Sequence, residues 1–168
     1  MMIMPLKGIY IEDDDKNLVV TLELFRQEGF EMETIQQLPA NLEEIYPLIL
    51  ELQADFLLVD HELNKKVSYT GYDALKEIRK HDSTIYAILL TNFRVEDFKA
   101  EFGSYDLEIH KSQLSDDDKL QEISAKIRRA CERSKDIKVL AQAEENRKFA
   151  QERLEILRQI HETVKESL

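Results

Sequence analysis

The sequence predicts an α/β fold, in which a five-stranded parallel, doubly wound sheet is followed by a long C-terminal helix. Short apolar segments with strand character alternate five times with helical segments, as expected when helices connect parallel strands. Residues 56–59 form a continuous apolar run, which suits a central strand covered on both faces. No glycine or proline follows Gly103, so residues 116–168 can form a single helix.

The expected strands are residues 8–11, 30–34, 56–60, 85–90 and 107–109. The second reads as an exposed edge strand, because its apolar residues alternate with glutamates. A first helix is expected where apolar residues recur from Leu18 to Phe25, with Gly29 closing it, and further helices over residues 42–52, 71–80 and 95–102. Pro47 predicts a kink in the second helix, or a start near Tyr46. Ser115, with Asp118 three residues later, predicts the start of the last helix by a capping box.

Composition limits the kinds of partner. The net charge is −11, and residues 1–134 carry all of the acidic excess, because residues 135–168 hold seven basic and seven acidic residues. An acidic domain repels nucleic-acid phosphates and anionic membranes, so we expect neither as a direct partner. Cys131 is the single cysteine, which excludes an internal disulfide. With no signal peptide and no apolar run long enough to span a membrane, this indicates a cytoplasmic protein.

Polar residues stand where four of the expected strands end: Glu12 and Asp13, Asp60, Thr91 and Lys111. Parallel strands bring these ends to one edge of the sheet, where ligands bind in open α/β folds. Three carboxylates together call for a cation, and such hard oxygen ligands favour Mg²⁺. A lone Asp60 could be a nucleophile, a metal ligand or a loop cap. With a lysine and a metal beside it, the set suits phosphoryl transfer to its carboxylate.

In the order and spacing of these motifs, residues 6–134 resemble the receiver domain of bacterial response regulators, which has a flavodoxin-like fold. The resemblance rests on Glu12-Asp13, FLLVD ending at Asp60, LLTN with Thr91, and EIHK with Lys111. It implies that Asp60 accepts a phosphoryl group from a histidine kinase or phosphotransfer protein. It also implies that Mg²⁺ is held by Glu12, Asp13, Asp60 and the carbonyl of Glu62. Thr91 and Lys111 would then contact the phosphoryl group.

Four positions depart from the family pattern: Asn64, Asn92, Glu108 and Ser112. Glu108 stands where the family carries an aromatic switch residue, and the loop after His61 is about three residues longer than usual. These departures affect the parts that transmit the signal more than the acceptor site. An alternative is therefore a pseudo-receiver, a scaffold that binds other proteins without a phosphate cycle. We expect no enzymatic activity beyond self-phosphorylation and self-dephosphorylation.

The chain is expected to divide into a receiver-like domain, residues 1–134, and a helical extension, residues 135–168. In the extension, Ala150, Leu154, Leu157, His161, Val164 and Leu168 recur at spacings of four and three, widened by Ile156 and Ile160. This pattern is typical of a coiled-coil seam, and a seam outside the domain needs a partner. Self-association as a homodimer is the leading interpretation. Packing onto a different protein is the alternative.

Overall fold

The computed structural model describes residues 4–63, 66–92 and 104–167. Its sheet contains β1 (Lys7–Ile11), β2 (Glu31–Thr34), β3 (Phe56–Asp60), β4 (Tyr86–Thr91) and β5 (Leu107–His110). The strands lie in the order β2-β1-β3-β4-β5, and every pair is parallel. The helices are α1 (Asp15–Gln27), α2 (Ile45–Leu52), α3 (Gly71–His81) and α4 (Asp117–Glu166). The predicted five-stranded parallel sheet is confirmed, with β2 as an edge strand.

Alternating side chains of the sheet form two apolar layers. Leu57 and Val59 of β3 pack in the layer that includes residues of α2 and α3. Phe56 and Leu58 pack in the opposite layer, with residues of α1 and the first turns of α4. All five residues of β3 are buried. The continuous apolar run therefore reads correctly as a strand covered on both faces.

Gly71 allows α3 to begin directly against the end of β3. A Cβ atom at this position would overlap the carbonyl group of Asp60. The amide of Gly71 also donates to the carbonyl of His61, at 2.9 Å. Any larger residue here would push α3 away from Asp60, so this glycine fixes the loop that follows Asp60.

Two predicted helix starts have different outcomes. A 3₁₀ turn, Leu42–Glu44, precedes α2, and Pro47 is the third residue of α2, where its missing N–H costs no intrahelical bond. The expected start near Tyr46 is confirmed. The capping box at Ser115 is wrong, because Asp116 accepts from the amides of Asp118 and Lys119, at 3.0 and 3.2 Å. The Ser115 hydroxyl instead donates to the Ser112 carbonyl, closing a 3₁₀ turn over Lys111–Ser115.

The C-terminal helix is one element of 50 residues. By its internal contacts the chain falls into two compact units, residues 1–131 and 132–168. In the first unit α4 buries apolar residues as far as Cys131, which is 2% exposed and packed as expected. In the second, apart from the half-buried Ser134, every described residue is exposed. No helix in the described residues is both long enough and apolar enough to cross a membrane.

Several sequence predictions fall outside the described residues. They concern the helix over residues 95–102, the loop residue Asn64 and Leu168 at the end of the seam. They also concern Phe93, which the resemblance implies would flank the path of water to Asp60.

Candidate functional site

The strand ends that the sequence singled out meet at one edge of the sheet. Glu12 and Asp13 follow β1, Asp60 ends β3, Thr91 ends β4, and Lys111 follows β5. The strand ends lie side by side because the strands pair in register there: Ile11 with Val59, Asp60 with Leu90, and Thr91 with His110. Asp60 is 0% exposed, Thr91 1%, Asp13 4% and Glu12 6%. Three acidic residues buried to this degree need compensating positive charge.

Lys111 supplies part of that charge. Its ammonium contacts Asp60 Oδ2 directly and lies 3.5 Å from Glu12 Oε2. Burial alone would lower the pKa of Lys111, but the neighbouring carboxylates of Asp60 and Glu12 outweigh it, and the net pKa is raised. Lys111 therefore stays an ammonium at neutral pH, in contact with Asp60 Oδ2.

Glu12 is held in place by main-chain and side-chain donors. Its Oε1 accepts from the amides of Asp13 and Asp14, at 2.9 and 3.1 Å. Its Oε2 accepts from the Tyr10 hydroxyl at 2.9 Å. Burial, and then the nearby Asp60 carboxylate, raise the pKa of Glu12. The same crowding of negative charge would be relieved by a bound cation.

Tyr10 is a member of the site that the sequence reading missed. Burial and the charges of Glu12 and Asp60 raise its pKa far above the usual range, so it remains a hydrogen-bond donor. The available signal was strand alternation, because Tyr10 and Glu12 are two residues apart and share one side of the strand. The apolar character of residues 9–11 concealed it.

Asp60 is oriented by its own loop. The Glu62 amide donates to Asp60 Oδ1 at 2.8 Å, which leaves Oδ2 directed at Lys111. Glu62, expected to offer its carbonyl to a metal, is thus in contact with Asp60 through its amide. The two histidines make their contacts elsewhere: His110 bonds the Asn92 carbonyl and the Ser112 hydroxyl, and His61 lies near Glu62, Asp73 and Glu108. His61 follows Asp60 and His110 precedes Lys111, so strand alternation turns both away from the site.

The acidic residues have the oxygen ligands that a divalent cation prefers, but their side chains are not arranged around a common point. Their donors are hard carboxylate oxygens, as Mg²⁺ prefers. A pocket of about 280 Å³, lined by Glu12, Asp13, Asp15 and Lys66 among others, opens beside them. Across residues 4–63, 66–92 and 104–167, however, no three His, Cys, Asp or Glu side chains are close enough together to hold a metal ion. A bound metal would therefore require Asp13 and Asp60 to turn toward a common point.

The position of the family's aromatic switch residue is occupied by a carboxylate with its own partner. The Tyr105 hydroxyl donates to Glu108 Oε2 at 3.2 Å. Burial, with the charge of Glu108, raises the pKa of Tyr105 to about 12, so the donor persists at neutral pH. The Tyr105 ring meets Tyr72 of α3 edge-on, with 6.5 Å between centroids. The sequence identified Glu108 as unusual but gave no signal for this contact.

Comparison with known proteins gives a clear result for the fold. No family model and no curated protein matches the chain. Among solved structures, the chain is similar to the response regulator TrrA from Thermotoga maritima, solved in complex with Mg²⁺–BeF, with 22% identity, TM-score 0.59, and coverage of 73% of this chain and 98% of that one. It is also similar to the receiver domain of a sensor histidine kinase from Pseudomonas aeruginosa, which has magnesium in its active-site cleft, with 18% identity, TM-score 0.57, and coverage of 76% and 98%.

The chain has the fold of a response regulator receiver domain. A third structure, TrrA bound to the histidine kinase ThkA, matches with 22% identity and TM-score 0.57, covering 73% of this chain and 97% of that one. Identities at this level establish the architecture. The resemblance read from the motifs is therefore confirmed at the level of fold.

Proposed function

We propose that the protein is a phosphorylation-controlled signalling protein in which Asp60 accepts a phosphoryl group from a histidine kinase or phosphotransfer protein. The observation that carries the proposal is the direct contact between the Lys111 ammonium and the buried Asp60 carboxylate. A fully buried aspartate at a strand end, oriented by one amide and one ammonium, is arranged for chemistry at Oδ2. The similarity to TrrA, solved with a histidine kinase, supports the choice of donor.

In the proposed reaction, Asp60 Oδ2 attacks the phosphorus of a phosphohistidine. The new O–P bond gives an acyl phosphate, the N–P bond breaks, and its electron pair returns to the imidazole. Lys111 follows the transferred group and pairs with one of its oxygens, and the Thr91 hydroxyl donates to another. Positioned charge of this kind is the main catalytic contribution in phosphoryl transfer.

Mg²⁺ is the proposed cofactor, and it would neutralise charge on the phosphoryl oxygens. Asp13 and Asp60 would hold it directly, Glu12 through water, and Glu62 through its carbonyl. Glu12 suits the indirect role, because three donors already occupy its oxygens. Related structures with magnesium bound support this assignment.

The proposed output is self-association through the exposed second unit, residues 132–168. A two-copy assembly is the simplest, and contact with a different protein is the alternative. A scaffold that takes no phosphate remains the second candidate function. It is favoured by Glu108, which stands where the resembling family carries an aromatic switch residue and accepts from the Tyr105 hydroxyl at 3.2 Å.

Intact-mass spectrometry after treatment with acetyl phosphate and Mg²⁺ separates the two functions. We expect one added phosphoryl group on the wild-type protein and none on Asp60→Asn. Asp136→Asn, on the exposed part of α4, is the matched control and should be labelled like wild type. An unlabelled wild-type protein would favour the scaffold. Label retained by Asp60→Asn would mean that a different residue accepts the phosphoryl group and would contradict the proposal.

A further inference from the structure

The two carboxylate oxygens of Glu12 have different kinds of donor. Oε1 accepts from two main-chain amides, those of Asp13 and Asp14, on the turn that leads into α1. Oε2 is contacted by two side chains, the Tyr10 hydroxyl at 2.9 Å and the Lys111 ammonium at 3.5 Å. The Glu12 side chain is only 2% exposed, so water has little access to replace either donor on Oε2.

The two donors on Oε2 differ in their freedom to move. Tyr10 lies in β1 between two neighbouring strands, is 0% exposed, and accepts from the Thr34 hydroxyl at its main-chain carbonyl. Its ring packs in the apolar layer that α1 and the first turns of α4 cover. Lys111 has a longer side chain that is 19% exposed, and it has Asp60 as a second partner. The ammonium is therefore the donor that can leave Glu12, and the hydroxyl is the donor that stays.

The proposed reaction draws Lys111 away from Glu12. The ammonium follows the phosphoryl group, whose oxygens carry more negative charge than a carboxylate. Glu12 then loses one of the two side-chain donors on Oε2. A buried acceptor left without a donor is costly, and a charged one more so than a neutral one. The Tyr10 hydroxyl avoids this cost, because it keeps a donor on Oε2 throughout the transfer.

We propose that Tyr10 is a positioning residue of the phosphoryl-transfer site, which holds Glu12 in place while Lys111 moves to the phosphoryl group. This role rests on the proposed function and adds a residue to it. Without the hydroxyl, Lys111 would be the remaining side-chain donor to Oε2 in the part of the chain that the structure describes. Glu12 would then retain the ammonium that the phosphoryl group needs. Tyr10 thus acts through Lys111, without contact with the reacting atoms.

Urea unfolding in the absence of Mg²⁺ tests whether the two side chains serve the same oxygen. Tyr10→Phe removes only the hydroxyl, and Lys111→Met removes the ammonium. Each single variant leaves Oε2 with one of these donors, whereas the double variant leaves it with neither. We therefore expect the double variant to lose more free energy of unfolding than the two single variants together. Tyr105→Phe is the control, because its hydroxyl donates to Glu108, and its loss should be the same in wild type and in Lys111→Met.

The rate of labelling by acetyl phosphate tests the movement of Lys111, with intact mass as the readout and Mg²⁺ at saturation. We expect Tyr10→Phe to have a maximal labelling rate roughly tenfold below wild type, the scale of one hydrogen bond to a charged group. The acetyl phosphate concentration that gives half of this rate should change little, because the hydroxyl acts when Lys111 moves and not when the donor binds. Tyr105→Phe should label at the wild-type rate. This comparison needs no Lys111 variant, so it holds even if Lys111→Met fails to fold.

The outcomes separate the role of Tyr10 from the proposed function. Additive losses in urea would overturn the sharing of Oε2, whether or not the protein accepts phosphate. An unlabelled wild-type protein would overturn the proposed function, and with it any role of Tyr10 in transfer. A wild-type protein that is labelled no faster than Tyr10→Phe would leave the proposed function standing and overturn the role of Tyr10. Equal slowing in Tyr105→Phe would do the same, since the effect would then not depend on Glu12.

Discussion

Replacing Lys111 with methionine tests how the charges of the site are balanced. The change leaves the Asp60 and Glu12 carboxylates buried without their ammonium. Removing one partner of a buried ion pair costs about 3–5 kcal/mol. The Lys111 side chain is 19% exposed, so water reaches the pair, and we expect a loss of about 2–3 kcal/mol in the free energy of unfolding.

The loss should depend on pH through Glu12. Burial and the nearby Asp60 already raise the pKa of Glu12, and removing Lys111 raises it further. An acid whose folded pKa exceeds its unfolded pKa destabilises the fold as pH rises between the two values. The difference in free energy of unfolding between wild type and Lys111→Met should therefore be largest above the raised Glu12 pKa. It should shrink as the pH falls through that pKa, because protonation removes one unpaired charge.

Urea unfolding at about pH 8 and about pH 5 measures both quantities. Lys66→Met is the control, because its 3.4 Å pair with Asp15 is exposed and should contribute less than about 1 kcal/mol. Equal losses for the two variants would refute the reasoning. A difference in unfolding free energy between wild type and Lys111→Met that is the same at both pH values would also refute it.

Three further results are expected. Mg²⁺ should raise the melting temperature of the wild type and raise it much less in Asp13→Ala, whereas an equal rise would indicate nonspecific screening. The acyl phosphate on Asp60 should be long-lived, because the resemblance implies that the position two residues after Thr91 flanks the path of water, and this residue is the bulky Phe93. Phe93→Ala should then lose its label faster, and equal decay rates would contradict this expectation. A chain ending after Ser134 should be a folded monomer that still accepts phosphate, and a truncated protein that still dimerises would place the self-association surface in the domain.

The parts of the fold that followed from sequence depend on strong local patterns. The run at residues 56–59 predicted a central strand covered on both faces, and the alternation in β2 predicted an edge strand. The start of α4 could not be predicted, because Ser115 and Asp116 are both good caps and the choice depends on the 3₁₀ turn that occupies Ser115. Competing hydrogen bonds of this kind are decided by tertiary packing.

The functional site also has parts that the sequence predicted and parts that it did not. Strand ends predicted which of its charged residues meet, since topology alone brings them to one edge. The contacts of Tyr10 with Glu12 and of Tyr105 with Glu108 could not be predicted, because they depend on side-chain direction within buried layers. Sequence placed Lys111 at this edge beside the carboxylates, but it did not predict that the ammonium would contact Asp60 and Glu12 at once.

Borohydride reduction after acetyl phosphate treatment tests the central claim most directly. Borohydride converts an aspartyl phosphate to homoserine, so tandem mass spectrometry of the digested protein identifies the acceptor residue. The phosphoacceptor account predicts homoserine at position 60 in the peptide that contains FLLVD, dependent on Mg²⁺ and on acetyl phosphate. Homoserine at a different aspartate, or an unmodified Asp60 under conditions that label a known receiver domain in the same tube, would contradict it.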